Sequence, residues 1–359
     1  MGEIVVSFCI PTYNRENMVG ELVEEILKYP GNDIEIIVCD NASTDNTCGL
    51  IKEIKKRDNR VCLIENETNI GPVPNWYKAL KGGNGKWLFQ VMDRDWIRSD
   101  LIPDLLQTLQ LFDKFGAGFA VAGEIVDDKG YYILEAGIEG VKEFALRASH
   151  PTGAIFNRLK WNEFSSQDEY WNGNYTVYPH GYCFAYLASK YKSGYISSDI
   201  CDKAHYNLRK ATTVSRFYVE SDGSRTENPN AWYLPENRYK LLLDATEHIE
   251  LFIDNREDIQ AFIISSFGKT FWNVTTENWI LAHDHLTRQR YNCDNFETNY
   301  LQIMANGFDC IVNYRQYLEN SGYEWVDKPF MKRLLVEEAK QINNLYGLVL
   351  NIEYDNQLN

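Results

Sequence analysis

Over the first hundred residues, short continuous apolar runs alternate with segments whose apolar positions recur at helical spacing. Ile4–Ile10 (IVVSFCI) is β-branched and apolar and predicts a strand, closed by Pro11, which has no N–H to donate to a ladder. Arg15–Lys28 carries Val19, Leu22, Val23, Ile26 and Leu27 on one helical face, with Gly31 just past its end. Ile34–Cys39 predicts a second strand, with Asp40 at its carboxyl end. Ser43 or Thr44 caps a helix marked by Leu50, Ile51 and Ile54. Val61–Ile64 predicts a third strand and Pro72–Lys81 a short helix with proline in its first turn. Trp87–Met92 predicts a fourth strand, set off by the Gly82-Gly83-Asn84-Gly85 turn. Strands alternating with helices in this way predict a doubly wound α/β domain, its mostly parallel sheet covered on both faces.

The pattern continues with an amphipathic helix on Leu101, Leu105, Leu106, Leu109 and Phe112. A strand over Phe119–Ile125, a turn at Asp127–Gly130 and a strand over Tyr131–Leu134 follow. From about Pro235 strand alternation disappears, and Leu241–Phe252, Ile259–Phe267, Tyr300–Ile311 and Phe330–Leu345 read as helices. The expected organisation is a catalytic domain over 1–232, with halves at about 1–115 and 116–232, and a helical C-terminal region over 233–359. That region is rich in aromatics, among them Trp272, Trp279, Tyr314 and Trp325, which read first as core and second as a sugar-stacking or interfacial patch.

Composition narrows the class. A length of 359 residues with 44% hydrophobic content supports a large core, and a net charge of −15 argues against a nucleic-acid partner, which needs a basic surface. The eight cysteines show no CxxC spacing, and Cys9, Cys39 and Cys62 lie inside apolar runs, as buried reduced thiols do. No secretory leader or membrane-spanning apolar stretch is evident in the sequence, so the expected location is cytoplasmic, at most peripheral at the inner face of the membrane.

The candidate chemistry gathers at strand ends, where ligands sit in open α/β sheets. Asp93 and Asp95 fall just past the fourth run, one residue apart and so on one side of an extended strand. Two such carboxylates form a hard-oxygen site suited to Mg or Mn holding a diphosphate; alone, the pair also reads as a solvated turn. After the first strand, Pro11-Thr12-Tyr13-Asn14-Arg15 contains no glycine, which excludes a dinucleotide-binding turn there, and no P-loop is present.

Taken together, Ile10-Pro11-Thr12-Tyr13-Asn14-Arg15, Val38 through Thr47 around Asp40, Asn69-Ile70-Gly71 with Asn75, and Asp93-Arg94-Asp95 resemble the family-2 glycosyltransferases in order and spacing over residues 4–110. The resemblance implies the GT-A fold and transfer of a sugar from a nucleotide diphosphate, usually with inversion and with a divalent metal, Mn or Mg. It implies that Pro11, Thr12 and Tyr13 line the nucleoside pocket with Tyr13 beside the base, and that Arg15 approaches the diphosphate. Asp40 would accept from a base N–H, as a carboxylate suits a uracil imide and hence a UDP-sugar. Asn69, Gly71 and Asn75 correspond to the loop beside the donor, Gly71 most simply for an unusual backbone angle. Asp93 and Asp95 would hold the metal, with Arg94 in an unusual middle position near the donor sugar or facing solvent.

The acceptor half departs from the family pattern. Where the family has a Glu-Asp pair opening a helix, this chain reads Tyr178-Pro179-His180-Gly181, so His180 takes the place of the basic carboxylate, as base or as a helix-terminus residue. Asp168 and Glu169 are rival bases, and His205 is the candidate third metal ligand or a structural histidine. The implied function is sugar transfer to a glycan or lipid-linked acceptor in cell-surface polysaccharide synthesis. A retaining transferase of the same fold and a non-catalytic nucleotide-sugar-binding scaffold stay open. Peripheral membrane contact and homo-oligomer formation are the associations that the C-terminal helices would serve.

Overall fold

The computed structural model describes residues 3–123, 130–145, 151–166, 179–201, 217–219, 225–227, 235–283 and 295–323. The chain divides into two compact units, Met1–Val214 and Ser215–Asn359. In the first, β1 (Val6–Thr12), α1 (Val19–Leu27), β2 (Ile34–Asp40), α2 (Thr47–Arg57), β3 (Val61–Glu65), α3 (Pro72–Lys81) and β4 (Trp87–Gln90) alternate as the hydrophobic pattern predicts. They are followed by α4 (Ile102–Phe115), β5 (Ala117–Gly123), β6 (Tyr131–Leu134), α5 (Ile138–Phe144), β7 (Ala154–Asn157), α6 (Arg158–Ser165), α7 (Pro179–Lys190) and β8 (Lys192–Ser197).

The sheet order is β3-β2-β1-β4-β7-β5-β8-β6. Strands β1 to β4 run parallel, β7 inserts antiparallel between β4 and β5, and β6 closes the edge antiparallel to β8. All of β1 and β2 is buried, as expected of central strands covered on two sides. One face holds the aliphatic layer of α1, α2 and α4, including Leu22, Ile26, Ile51 and Leu109. An aromatic cluster also fills the core, with Trp76 edge-on to Trp161 at 5.5 Å and Phe184 stacked on Phe119 at 4.8 Å.

Several strand ends shift by one or two residues from the sequence expectation, and two of these shifts bear on the site. The first strand runs through Pro11 to Thr12 instead of stopping before the proline. The Thr12 carbonyl accepts from Asn41 N–H on β2's side, so Pro11 faces the opposite side, where pairing with β4 has ended at Cys9–Gln90. Its missing N–H therefore costs no ladder bond. The fourth strand stops at Gln90, and Asp93 and Asp95 lie on a turn in which Asp95 N–H donates to Met92 C=O. Their proximity comes from that turn rather than from strand alternation.

At the opposite end of the sheet, Glu35 is buried and accepts from Ser7 Oγ at 2.6 Å and from Asn84 N–H at 2.5 Å. This ties the glycine turn to β1 and β2. Among the described residues, the second unit contains an antiparallel pair, β9 (Phe217–Val219) with β10 (Arg225–Glu227), and three helices, α8 (Pro235–Ile249), α9 (Arg256–His283) and α10 (Phe296–Asn320). Thr246 and Tyr314 hydroxyls meet at 2.8 Å in its core, and Phe267 stacks on Tyr314. Three of the four expected C-terminal helices are present; the fourth, at Phe330–Leu345, lies outside the described residues. Among the described residues, no helix is long and apolar enough to cross a membrane.

Gly85 offers a direct check of the packing at the glycine turn. A Cβ there would sit 2.6 Å from Ser7 N and 2.7 Å from Ser7 Oγ, so β1 itself must move to accept it. Gly85→Ala should cost about 1–3 kcal/mol in chemical denaturation, the usual cost of overpacking. Retention of full stability would show that the turn moves freely against β1.

Candidate active site

The carboxyl ends of β1, β2 and β4 surround a cavity of about 490 Å³. The β1 loop lines it with Pro11, Thr12, Tyr13, Asn14 and Arg15. Asn41, Asn69 and the first turns of α3 (Pro72, Val73, Asn75, Trp76) add a second wall, and Met92, Asp93 and Pro151 complete it. Its volume lies inside the range of about 300–1,000 Å³ typical of small-molecule sites, and its mixture of apolar walls with a few polar groups is also typical. Tyr13, at 40% exposure, stands at the rim.

The β1 loop is held by the loop that follows β2. Asn14 adopts φ 52°, a left-handed backbone that asparagine tolerates, and its N–H donates to Ser43 Oγ at 2.8 Å. Ser43 Oγ in turn donates to Asp40 Oδ1 at 2.5 Å, while Ser43 N–H donates to Asp40 Oδ2 at 2.9 Å. Arg15 N–H donates to Thr47 Oγ1 at 2.9 Å, and that hydroxyl donates to Asp45. Burial raises the Asp45 carboxyl, but hydrogen bonds from Thr47 and the Glu16 backbone outweigh it and hold the group below its ordinary value. The helix after β2 has Asn46 at its cap position, without a side-chain cap bond, so neither Ser43 nor Thr44 serves as the expected cap. Ser43 instead acts on the turn.

Asp93 and Asp95 are both buried, at 7% and 6% exposure. Burial raises the Asp93 carboxyl, opposed by Arg15, the Thr12 hydroxyl and Arg94. Arg15 Nε stands 3.7 Å from Asp93 Oδ1. Burial pushes Asp95 up to about 6, opposed by a hydrogen bond from Thr152 and by Arg94. Thr152 Oγ1 accepts from Met92 N–H at 2.9 Å and donates to Asp95 Oδ2. A hydroxyl 57 residues downstream thus orients the second carboxylate and pins the turn. No sequence signal near Asp95 points to Thr152; its place depends on β7 entering the sheet beside β4, with Gly153 at φ +96° and a Cβ there only 2.3 Å from Ala122 O.

A divalent cation fits this donor set in chemistry. Two desolvated carboxylates supply hard oxygens, and a dication would relieve the charge that burial penalises. Among the described residues, no group of three or more His, Cys, Asp or Glu side chains gathers here.

The expected site residues fall into four groups. Pro11, Thr12, Tyr13, Arg15, Asn69, Asn75 and Asp93 line the cavity. Asp40, Gly71, Arg94 and Asp95 support it without lining it; Asp40 is 1% exposed, and Gly71 has the expected unusual backbone, φ +89°. His180 is the second residue of α7. Asp168, Glu169 and His205 lie outside the described residues.

Removing the Asp95 charge should stabilise the metal-free protein. With chelator at pH 7.5, Asp95→Asn should gain at most roughly 2–3 kcal/mol over the parent, at ~1.4 kcal/mol per pKa unit. A carboxyl raised to about 6 is penalised only once ionised, so the gain is complete above pH 6 and vanishes below the ordinary value of 3.8. Denaturation curves from pH 4 to 7.5 measure this, and a gap that persists unchanged at pH 4 would assign the effect to packing. Thr152→Val, which keeps shape and removes the hydroxyl, should cost about 1–3 kcal/mol in the same assay.

Comparison with known proteins bears on the family and the fold. The family described as "Glycosyl transferase family 2" matches residues 7–184. The abequosyltransferase RfbV of Salmonella typhimurium is 37% identical over 114 residues, covering 30% of this chain and 32% of that protein. The UDP-Glc:alpha-D-GlcNAc-diphosphoundecaprenol beta-1,3-glucosyltransferase WfgD of Escherichia coli is 32% identical over 102 residues, covering 28% of this chain and 40% of that one. The similarity thus spans about a third of these relatives' lengths. The crystal structure of S. aureus TarS 1-349 in complex with UDP superposes with a TM-score of 0.53 at 15% identity, covering 89% of this chain and 93% of that one, which shows a shared GT-A fold. Residues 7–184, with their mixed sheet and the motifs at its strand ends, form a glycosyl transferase family 2 domain.

Proposed function

We propose that the protein transfers a sugar from a UDP-sugar to a glycan or lipid-linked saccharide, with inversion and with Mn or Mg, in cell-surface polysaccharide synthesis. The observation that carries this reading is Asp93 on the wall of the 490 Å³ cavity, with Asp95 beside it on the same turn, at the end of β4. Support for the donor class comes from S. aureus TarS, whose structures hold UDP or UDP-GlcNAc, and from the E. coli relative, named for UDP-Glc and a diphosphoundecaprenol-linked acceptor.

In this reading the base end of the donor lies at Tyr13, with Thr12 and Pro11 beneath it. Asp40, buried behind the cavity wall with Ser43 on both its oxygens, would accept from a uracil imide once the Ser43 loop opens toward the base. Arg15 faces the diphosphate from the Asp93 side, its cation offsetting both the carboxylate and the phosphates. Asp93 and Asp95, with His205 as the third candidate, would hold the metal, which would supply neutralisation of charge growing on the departing diphosphate. Arg94 adds a cation next to the same turn. His180, in the first turn of α7, takes the proton of the acceptor hydroxyl as that oxygen attacks the anomeric carbon opposite the leaving group. Asp168 and Glu169 are the alternative bases. The catalytic domain is proposed to extend to about residue 232, past the Val214 limit of the first compact unit, with the helices beyond it serving oligomer or peripheral membrane contact on the cytoplasmic side.

Titration calorimetry with UDP and Mn tests the metal part. Asp93→Ala and Asp95→Ala should each abolish metal-dependent binding while the protein stays folded; unchanged affinity in both removes the metal site. For the base, turnover should fall as pH drops through an ionisation near ~6.5, the ordinary histidine value. His180→Gln should lose on the order of 10²–10⁴ in turnover with UDP binding nearly unchanged. A glutamine enzyme that keeps most of its turnover places the base elsewhere, with Asp168 and Glu169 next.

A further inference from the structure

Beneath the cavity, four asparagines join the loop before α3 to the strand ends. Asn66 is buried, 8% exposed, and sits at their centre. Its Nδ2 donates to Asn75 Oδ1 at 2.8 Å and to Asn41 Oδ1 at 3.2 Å. Its Oδ1 accepts from Lys78 Nζ at 2.6 Å. Asn41 Nδ2 donates to Asn69 Oδ1 and to Gly71 C=O, and its Oδ1 also accepts from Ile70 N–H. Asn75 Nδ2 donates to Cys39 C=O at 3.0 Å.

Partners of fixed polarity set every amide in this network. An ammonium and a backbone N–H only donate, and a carbonyl only accepts. Lys78 therefore turns the Asn66 oxygen toward itself and its NH₂ toward Asn41 and Asn75. Gly71 C=O and Ile70 N–H fix Asn41, and Cys39 C=O fixes Asn75, each in the sense that leaves an oxygen facing Asn66. Asn41 is then saturated, with two donations made and two accepted, so its side chain forms cavity wall and has no hydrogen bond left for a ligand. The same holds for both donors of Asn75, whose Nδ2 also reaches Thr12 C=O. Asn66 thus couples the two anchors of the wall from Asn69 to Asn75, Asn41 and Asn75, without itself lining the cavity.

We propose that Asn66, held by Lys78, is a positioning residue for the nucleotide end of the donor site, acting through Asn41 and Asn75. Asn66 belongs to none of the motifs that carry the family resemblance, and Lys78 reads in sequence as an ordinary exposed helix lysine. The inference rests on the donor-site reading above, since it assigns the cavity to a nucleotide.

The test uses UDP as the probe on the full chain. Asn66→Asp is isosteric, keeps the acceptor that Lys78 needs, and replaces two donations with oxygens facing oxygens. It should weaken UDP roughly tenfold or more and raise the donor KM by a similar factor, with kcat within about threefold of the parent. Lys78→Met should weaken UDP by roughly threefold to tenfold at an unchanged melting temperature, and Lys78→Arg should restore parental affinity. If Asn66→Asp does not fold, the lysine pair decides. Parental UDP affinity and donor KM in the folded variants would overturn the assignment, as would equal losses in kcat and KM accompanied by a fall in melting temperature, the mark of a merely structural residue. A parent protein that binds no UDP would instead defeat the donor-site reading itself, and this inference with it.

Discussion

The constraint on which the first unit depends is the need to satisfy polar groups buried at the carboxyl ends of β1, β2 and β4. These strands are covered on both faces, so their ends open into a volume with little water, where an unpaired amide or carboxylate costs several kcal/mol. The chain meets this with side chains that bridge loops distant in sequence: Ser43 between Asp40 and Asn14, Thr47 between Asp45 and Arg15, Asn66 between Asn41 and Asn75, Thr152 between Met92 and Asp95. The cavity is the space these bridges leave, and its shape is therefore as rigid as their geometry.

Asp93 and Asp95 are the exception to that economy. Both are desolvated enough to be raised, and neighbouring cations offset only part of the penalty. Carboxylates left in that state weaken the metal-free fold and favour any ligand that brings positive charge, a familiar trade of stability for function. Arg15 takes part in both sides of the balance, close enough to steady Asp93 yet without a direct hydrogen bond to it, and so available to an incoming anion.

The helical unit follows simpler physics. Its core is built from large side chains on three helices, with the Thr246–Tyr314 pair as a buried polar contact and burial driving the Tyr314 hydroxyl well above its ordinary value. Among the described residues this packing is that of a buried aromatic and aliphatic core, and the family match ends before it, at residue 184.

Strand and helix order through β4 follows from hydrophobic period alone, because central strands buried on both faces must be continuous apolar runs and covering helices must be amphipathic. Leu22, Ile26, Ile36 and Phe89 declare their elements without help from tertiary contacts. The cavity's β1 wall and the Asp93-x-Asp95 pair were legible for a related reason: they sit immediately after strands, where the topology opens a crevice. Contacts across the sheet were not legible, since no local period encodes a partner tens of residues away. Pro11 reads as a stop until the short β4 shows that its missing N–H has no ladder to break, and Asp93 and Asp95 read as a strand pair until the turn at Met92 is seen. The sequence by itself determined which elements form and which strand ends bear chemistry. Only the tertiary structure decided how those ends are held, because a hydrogen bond from Thr152 to Asp95, or from Asn66 to Asn75, exists only once β7 and α3 have packed.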